Sequence, residues 1–230
     1  MKVAVVGAGI AGLSTAWALN RAGHEATLIE QAAAIPNPYA ASGDQHRIIR
    51  RAYAGDDGYA RTITEAFAAW DELWADLGAV HYKACGVMGI SQLAGDEGEE
   101  YRDGLDRMGS PDELFEPAQA ARRYPFLDPA TFRYAYLSGE GGALFPARIA
   151  AGMVALLRER GVAIREGVAV TSVDPDSGAL GFADGERLAF DRIVVTAGAW
   201  TLRLLPELGD ALKTYRTAVA YLDPPDDLKA

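Results

Sequence analysis

A single cysteine, Cys85, excludes an internal disulfide and fits a reducing compartment, so the cytoplasm is the expected location. Long apolar runs that are also poor in glycine are missing, so no membrane-spanning segment is expected. Positive charge is in short supply: 22 Lys and Arg stand against 32 Asp and Glu, a net charge of −10. That balance argues against a nucleic-acid partner and against an anionic membrane surface. Internal repeats and low-complexity segments are absent, and no metal site is expected. Lys2 ahead of an apolar stretch imitates a secretory signal. Three glycines interrupt that stretch, no clear small-residue cleavage site follows, and Arg21 and Glu25 come where a mature chain would begin.

What is present is a chain of 230 residues, 50% of them hydrophobic, enough for one or two domains with a sizeable core. Its organising stretch is Met1 to Glu30. Lys2 to Val6 is a short Val-rich run and predicts a strand. Gly7-Ala8-Gly9-Ile10-Ala11-Gly12 follows, then Leu13, Ala16, Trp17 and Leu19 at helical spacing up to Gly23, and a second apolar run from Ala26 to Ile29 that ends on Glu30. Strand, glycine turn, helix, strand and acid form half of a nucleotide-binding βαβ layout. Gly7 lets the chain turn off the strand, Gly9 lets backbone approach a diphosphate, and Gly12 lets the helix pack closely. Free N–H groups at the helix start, with the helix dipole, attract phosphate. Glu30, eighteen positions past Gly12, is placed to accept hydrogen bonds from ribose hydroxyls and would repel a 2′-phosphate. The motif by itself does not separate NAD from FAD.

From Gln31 to Ser42 the composition turns to Ala, Pro, Asn and Ser, which predicts a loop. In Gly43 to Arg51, Arg47 and Arg50 are three apart; a helix here would put both on one face, with Ile48 and Ile49 turned to packing. Two guanidiniums on one face need an anion between them or acids beside them. The alternative is a solvated basic patch. Gly58 to Leu77 predicts an amphipathic helix with a core stripe of Ile63, Phe67, Trp70, Trp74 and Leu77. Strands are predicted at Val80 to Cys85 and Val87 to Ser91, with Cys85 half-buried. An acidic helix over Asp96 to Met108, a strand over Asp112 to Phe115 and a helix over Glu116 to Tyr124 follow. Thr131 to Leu137 predicts a strand with Phe132, Tyr134 and Tyr136 on one face, lining a pocket or packing a sheet. Beyond the Ser138 to Gly142 turn come a helix from Ala147 to Arg160, strands at Val162 to Arg165 and Val168 to Val173, a hairpin turn at Asp174 to Gly178, a buried strand at Arg192 to Thr196, and a strand at Lys213 to Leu222.

The opening glycine fingerprint, followed by Ser-Gly-Asp-Gln-His-Arg-Ile-Ile-Arg-Arg-Ala-Tyr at Ser42 to Tyr53, resembles the D-amino-acid oxidase superfamily. Within it the match is to the branch of monomeric sarcosine oxidase and N-methyl-amino-acid oxidases. The resemblance implies an α/β architecture: a Rossmann-like FAD-binding domain with a discontinuous, mainly antiparallel-sheet substrate domain. It implies that Arg47 sits near the isoalloxazine and that Arg50 helps bind the substrate carboxylate, roles that suit paired, bidentate guanidiniums. The His that often precedes the first Arg is here His46, at a different offset, and receives no role. Cys85 does not match the later cysteine that carries covalent FAD in some members.

Further cofactor contacts are implied at Gly7, Gly9, Ile10, Ala11, Gly12, Glu30, Gln31, Ser42, Arg47, Ile48 and Val170, and in the second turn at Ala197, Gly198 and Trp200, where Trp200 reads first as packing. The implied domains are residues 1–81 and 144–211 for FAD, with 82–143 and 212–230 as part of the substrate domain. The implied reaction is oxidation of the C–N bond of an amino acid or N-alkyl amino acid, with oxygen as acceptor. The resemblance covers only the front portion of the family's length, so a second chain supplying the remainder is an alternative. An NAD-linked dehydrogenase and a non-catalytic nucleotide-binding module are the others.

Overall fold

The computed structural model describes residues 1–53, 57–110, 112–215, 217–221 and 223. In chain order the elements are β1 (Lys2–Val6), α1 (Ile10–Arg21), β2 (Glu25–Ile29), β3 (Arg47–Arg50), α2 (Asp57–Leu77), β4 (Tyr82–Lys83), β5 (Val87–Ser91), α3 (Glu97–Arg107), β6 (Asp112–Phe115) and α4 (Pro117–Arg123). They continue with β7 (Tyr134–Ser138), β8 (Gly141–Leu144), α5 (Pro146–Glu159), β9 (Ala163–Arg165), β10 (Val170–Asp174), β11 (Ala179–Phe182), β12 (Arg187–Ala189), β13 (Arg192–Val195) and α6 (Thr201–Leu204).

The first sheet has the order β13-β1-β2-β9 and is parallel throughout. Its central strand is covered on both faces, which is why β1 reads as an unbroken apolar run. Val5 and Leu28 pack with Leu13 and Trp17 of α1 and Ile149, Met153 and Leu157 of α5. Ala4, Val6 and Ile29 turn the other way, against Leu180 and Phe182 of the antiparallel β10-β11-β12 meander. Met153 and Leu157 are fully enclosed, worth about 2 kcal/mol each in transfer free energy. A polar tie crosses this helical layer: the Asp76 carboxylate on α2 accepts from the Trp17 Nε1–H at 2.7 Å and from Arg160 at 2.9 Å.

Two further antiparallel sheets have the orders β3-β8-β4 and β5-β7-β6. The fold is the expected α/β architecture, a parallel nucleotide-type sheet joined to antiparallel sheets.

Several local expectations are corrected. The segment around Arg47 and Arg50 is a strand, not a helix, because β-branched Ile48 and Ile49 pair with Ala143 and Gly142 of β8. Strand geometry alternates side chains, so Arg47 and Arg50 lie on opposite faces, not one. The strand expected as buried at Arg192 to Thr196 is the half-buried edge strand of its sheet. Phe132 precedes β7 and packs with Phe115 and Ala120, whereas Tyr136 packs with Ala52 and Leu105, so the three aromatics do not share a face. Cys85 is exposed in the loop between β4 and β5. Residues 213–215 and 217–221 form no strand, since no described strand lies beside them to take their hydrogen bonds, and Tyr215 is 82% exposed. Arg216, Leu222 and the following Pro224 to Asp227 lie outside the described residues. Among the described residues, no helix is long and apolar enough to cross a membrane, and no group of His, Cys, Asp and Glu is placed to hold a metal ion.

Candidate functional site

The site grows from the end of β1. Gly7 has φ +104°, a conformation that L side chains rarely adopt, and a Cβ there would fall 2.6 Å from the Thr196 carbonyl oxygen. Its N–H donates to the Ile29 carbonyl at 2.8 Å, which stitches the turn to β2. A Cβ on Gly12 would fall 1.8 Å from the Gly7 carbonyl oxygen, so the first turn of α1 rests directly on the loop. Gly9 differs. A Cβ there would meet only the Ser42 Oγ, at 3.4 Å, so the space above Gly9 is otherwise open.

Gly9 caps α1 without any side-chain hydrogen bond, and the first turn holds no acid. The Ile10 N–H donates to Ser42 Oγ at 3.0 Å, while the N–H groups of Ala11 and Gly12 have no partner among the described residues. A helix start with free donors, no competing carboxylate and clear space over a glycine fits a diphosphate.

Glu30 is 6% exposed at the end of β2. Its Oε2 accepts from the Ala8 N–H at 2.7 Å, and its Oε1 accepts from the Ala32 N–H at 2.9 Å and from the Asn37 side-chain amide at 3.5 Å. The carboxylate therefore holds the glycine turn and the start of the following loop together. Gln31 is exposed beside it, and Val170 opens β10, half-buried against the same core. The second turn lies on the first: the Thr196 hydroxyl is 3.0 Å from the Val6 carbonyl and 2.9 Å from the Gly7 carbonyl, and a Cβ on Gly7 would be 3.0 Å from the Ala197 Cα. Gly198 has φ +55°, and the half-buried Trp200 closes a short 3₁₀ turn through its N–H to the Ala197 carbonyl at 3.0 Å. Thus Gly7, Gly9, Ile10, Ala11, Gly12, Glu30, Ser42, Ala197 and Gly198 converge.

The two arginines do not converge with each other. Arg47 is exposed; it pairs with Asp44 at 2.6 Å and donates to the Ala41 carbonyl at 2.5 Å, which fastens the loop that presents Ser42. Ile48 is 64% exposed. Arg50 points into a cavity of about 230 Å³ between β3, β5, β7 and α3. Its Nη2 donates to the Tyr101 hydroxyl at 3.0 Å. The hydrogen bond from Tyr101 to Glu97, then burial, raises the Tyr101 hydroxyl above its ordinary range, and burial pushes that of Tyr136 up to about 12. Reading the sequence alone misses Asn37, Tyr101 and Glu97. No spacing rule links Glu30 to Asn37, or Arg50 to a tyrosine on α3 fifty-one positions on.

A sequence model of the FAD dependent oxidoreductase (DAO) family matches residues 2–230. Human peroxisomal sarcosine oxidase is 26% identical over 219 residues, covering 94% of this chain and 56% of that protein. N-methyl-L-tryptophan oxidase of Yersinia pestis is 25% identical over 210 residues, covering 89% of this chain and 55% of that protein. The chain thus spans about half the length of the curated relatives it matches. Among solved structures, NikD, an amino acid oxidase of nikkomycin biosynthesis, superposes with a TM-score of 0.80 at 22% identity, covering 90% of this chain and 53% of that one. Glycine oxidase of Geobacillus kaustophilus superposes with a TM-score of 0.75 at 20% identity, covering 90% and 58%. Below 25% identity these two likenesses establish the fold alone.

Proposed function

The chain belongs to the family of FAD-dependent oxidoreductases, and from that premise we propose that it forms the flavin-binding part and one wall of the substrate site of an oxidase of amino acids or N-alkyl amino acids. One observation carries the reading: at the start of α1 the N–H groups of Ala11 and Gly12 have no partner among the described residues, the position above Gly9 is open except for Ser42 Oγ, and the Glu30 carboxylate binds the same turn through Ala8. That cradle fits the diphosphate and ribose of FAD. FAD, not NAD, is that family's cofactor.

In this reading the free N–H groups of Ala11 and Gly12 hold the diphosphate, Ile10 borders it with its own N–H taken by Ser42, and Glu30 takes ribose hydroxyls. The second turn at Ala197 and Gly198 brings backbone to the flavin, and Gln31, Ile48, Val170 and Trp200 border it. When bound, FAD supplies the redox chemistry, accepting a hydride from the carbon beside the substrate nitrogen, with oxygen as the final acceptor. Arg50 orients the substrate by its carboxylate. Arg47 places positive charge near the cofactor and holds its loop closed. The imine product leaves that carbon open to water, and hydrolysis releases the amine.

The domain division belongs to the same proposal: 1–81 and 144–211 on the flavin side, 82–143 and 212–230 on the substrate side. The β3-β8-β4 sheet straddles that boundary. The remaining walls of the site come, in this reading, from polypeptide equivalent to the rest of the relatives' length, in the same chain or in a second one. A cytoplasmic setting is part of the proposal, supported by the lone exposed thiol of Cys85.

The test is the absorption spectrum of the purified protein after addition of FAD, followed by anaerobic addition of N-methylglycine, N-methyl-L-tryptophan or glycine. A bound flavin spectrum that bleaches with one of these amines supports the reading. A protein that takes up no FAD overturns it. Bound flavin that bleaches only once polypeptide equivalent to the rest of the relatives' length is supplied favours the two-part enzyme, and flavin that never bleaches favours a non-catalytic nucleotide-binding module.

A further inference from the structure

The guanidinium of Arg50 lies 4.2 Å from the ring centroid of Tyr101 and 5.2 Å from that of Tyr53. Nη2 donates to the Tyr101 hydroxyl at 3.0 Å, and that hydroxyl donates onward to Glu97. Ring faces and one hydrogen bond thus fix the plane of the cation. Among the described residues no carboxylate pairs with Arg50, whereas Arg47 and Arg51 on either side have Asp44 and Glu140. The remaining N–H edge of Arg50 is left for something else.

The same cavity holds a second polar group without a partner. Tyr136 is 2% exposed and lines the cavity with Arg50, yet its hydroxyl makes no hydrogen bond to any described residue. Its ring is buried while its hydroxyl opens on the cavity without a protein partner among the described residues, so it is free to hydrogen-bond whatever occupies that space. Its ring lies over Gly89, where a Cβ would fall 2.2 Å from the hydroxyl oxygen. The absence of a side chain at that position is what lets the hydroxyl stand where it does. Burial keeps it protonated far above neutral pH, so it acts as a donor.

The geometry points to Tyr136 as a substrate-binding residue that donates a hydrogen bond to the carboxylate held by Arg50. The inference rests on the oxidase reading above and adds to it the second donor. A carboxylate offers more acceptor positions than one guanidinium edge fills, and a neutral phenol adds a donor without a second charge. Ala52, Val87, Met88 and Ile90 give the cavity an apolar side that suits the carbon body of an amino acid; Ser138 and Glu97 also line it, and the Glu97 carboxylate accepts from the Tyr101 hydroxyl. The part of the space that this chain walls measures about 230 Å³, room for the carboxylate end of an amino acid.

The test compares the wild type, Tyr136→Phe and Arg50→Lys as full chains loaded with FAD. Saturation-transfer NMR measures binding of N-methylglycine and N-methyl-L-tryptophan, each alongside its primary amide. Tyr136→Phe removes only the hydroxyl, and FAD affinity and melting temperature monitor the fold. The expected result is about tenfold weaker binding of the carboxylates to Tyr136→Phe, with amide binding and FAD affinity unchanged. Unchanged carboxylate binding by Tyr136→Phe together with weakened binding by Arg50→Lys overturns the inference and leaves the oxidase reading standing. Equal weakening of carboxylate and amide also overturns it, because the hydroxyl would then act through packing. A wild type that binds FAD but neither carboxylate also overturns the inference, while a wild type that takes up no FAD overturns the oxidase reading itself.

Discussion

Glu30 accepts a hydrogen bond from the Ala8 N–H at 2.7 Å, so the acid that ends the second strand also fastens the glycine turn that ends the first. In the proposed reading one carboxylate thereby links ribose recognition to the shape of the turn that holds the diphosphate. Both of its oxygens take backbone donors, at Ala8 and at Ala32. Glu30→Gln would set an amide NH₂ against one of those N–H groups, leaving a donor facing a donor in a buried place. The expected outcome is a melting temperature lower by about 3 °C, from roughly 1 kcal/mol, together with weaker FAD binding. Calorimetry with and without FAD checks both.

The glycines of the turn separate fold from function. Gly12→Ala would drive a methyl into the Gly7 carbonyl, where a Cβ lies 1.8 Å away, so the turn must move. A loss of about 3 kcal/mol is expected, with FAD binding lost as well. Gly9→Ala meets only the Ser42 Oγ at 3.4 Å, an ordinary contact. Its melting temperature without FAD should fall by no more than about 3 °C, the cost of a poorer N-cap residue, while FAD affinity falls at least tenfold. Equal stability of the two variants would contradict this geometry.

Arg47 and Arg50 should separate in the same way. Arg47→Ala frees the loop held through Asp44 and Ala41, and with it Ser42 on the helix start. FAD affinity should drop several-fold, with little change in melting temperature, since an exposed ion pair is worth only about 0.5 kcal/mol. Arg50→Ala should weaken substrate binding far more than FAD binding. Parallel titrations with FAD and with N-methylglycine distinguish the two; an equal loss of both in Arg50→Ala would remove it from the substrate role.

Asp76 predicts how stability depends on pH. The hydrogen bond from Arg160, then that from Trp17, holds its carboxyl below the ordinary 3.8. A group with a depressed folded pKa contributes stability that is fully present above its unfolded value and is lost as pH falls through the folded one. Asp76→Asn should therefore melt below wild type at pH 7. The gap should narrow only as the pH drops below 3.8, where the wild-type carboxyl protonates. Melting curves across that range give the answer; a gap independent of pH would mean that packing, not charge, sets it.

The opening strand, turn, helix and acid were legible because each signal is local. Val-rich spacing, three glycines and the Leu13–Trp17 stripe all lie within one supersecondary unit and agree with one another. The α5 stripe of Ile149, Met153 and Leu157 was equally plain. The arginine segment was not. Its spacing suits a helix face, but pairing with β8, some ninety positions along the chain, makes it a strand and sends the two guanidiniums to opposite faces.

The sequence by itself determined the strand, glycine turn, helix and second strand and the acid that stands beside that turn, because periodicity and glycine spacing act over a few residues. Only the tertiary structure decided that Ser42 and Thr196 bind that turn and helix start, that Arg47 fastens a loop, and that Arg50 shares a cavity with the unpartnered hydroxyl of Tyr136. Those neighbours are brought together by sheet pairing and core packing, which no local spacing encodes.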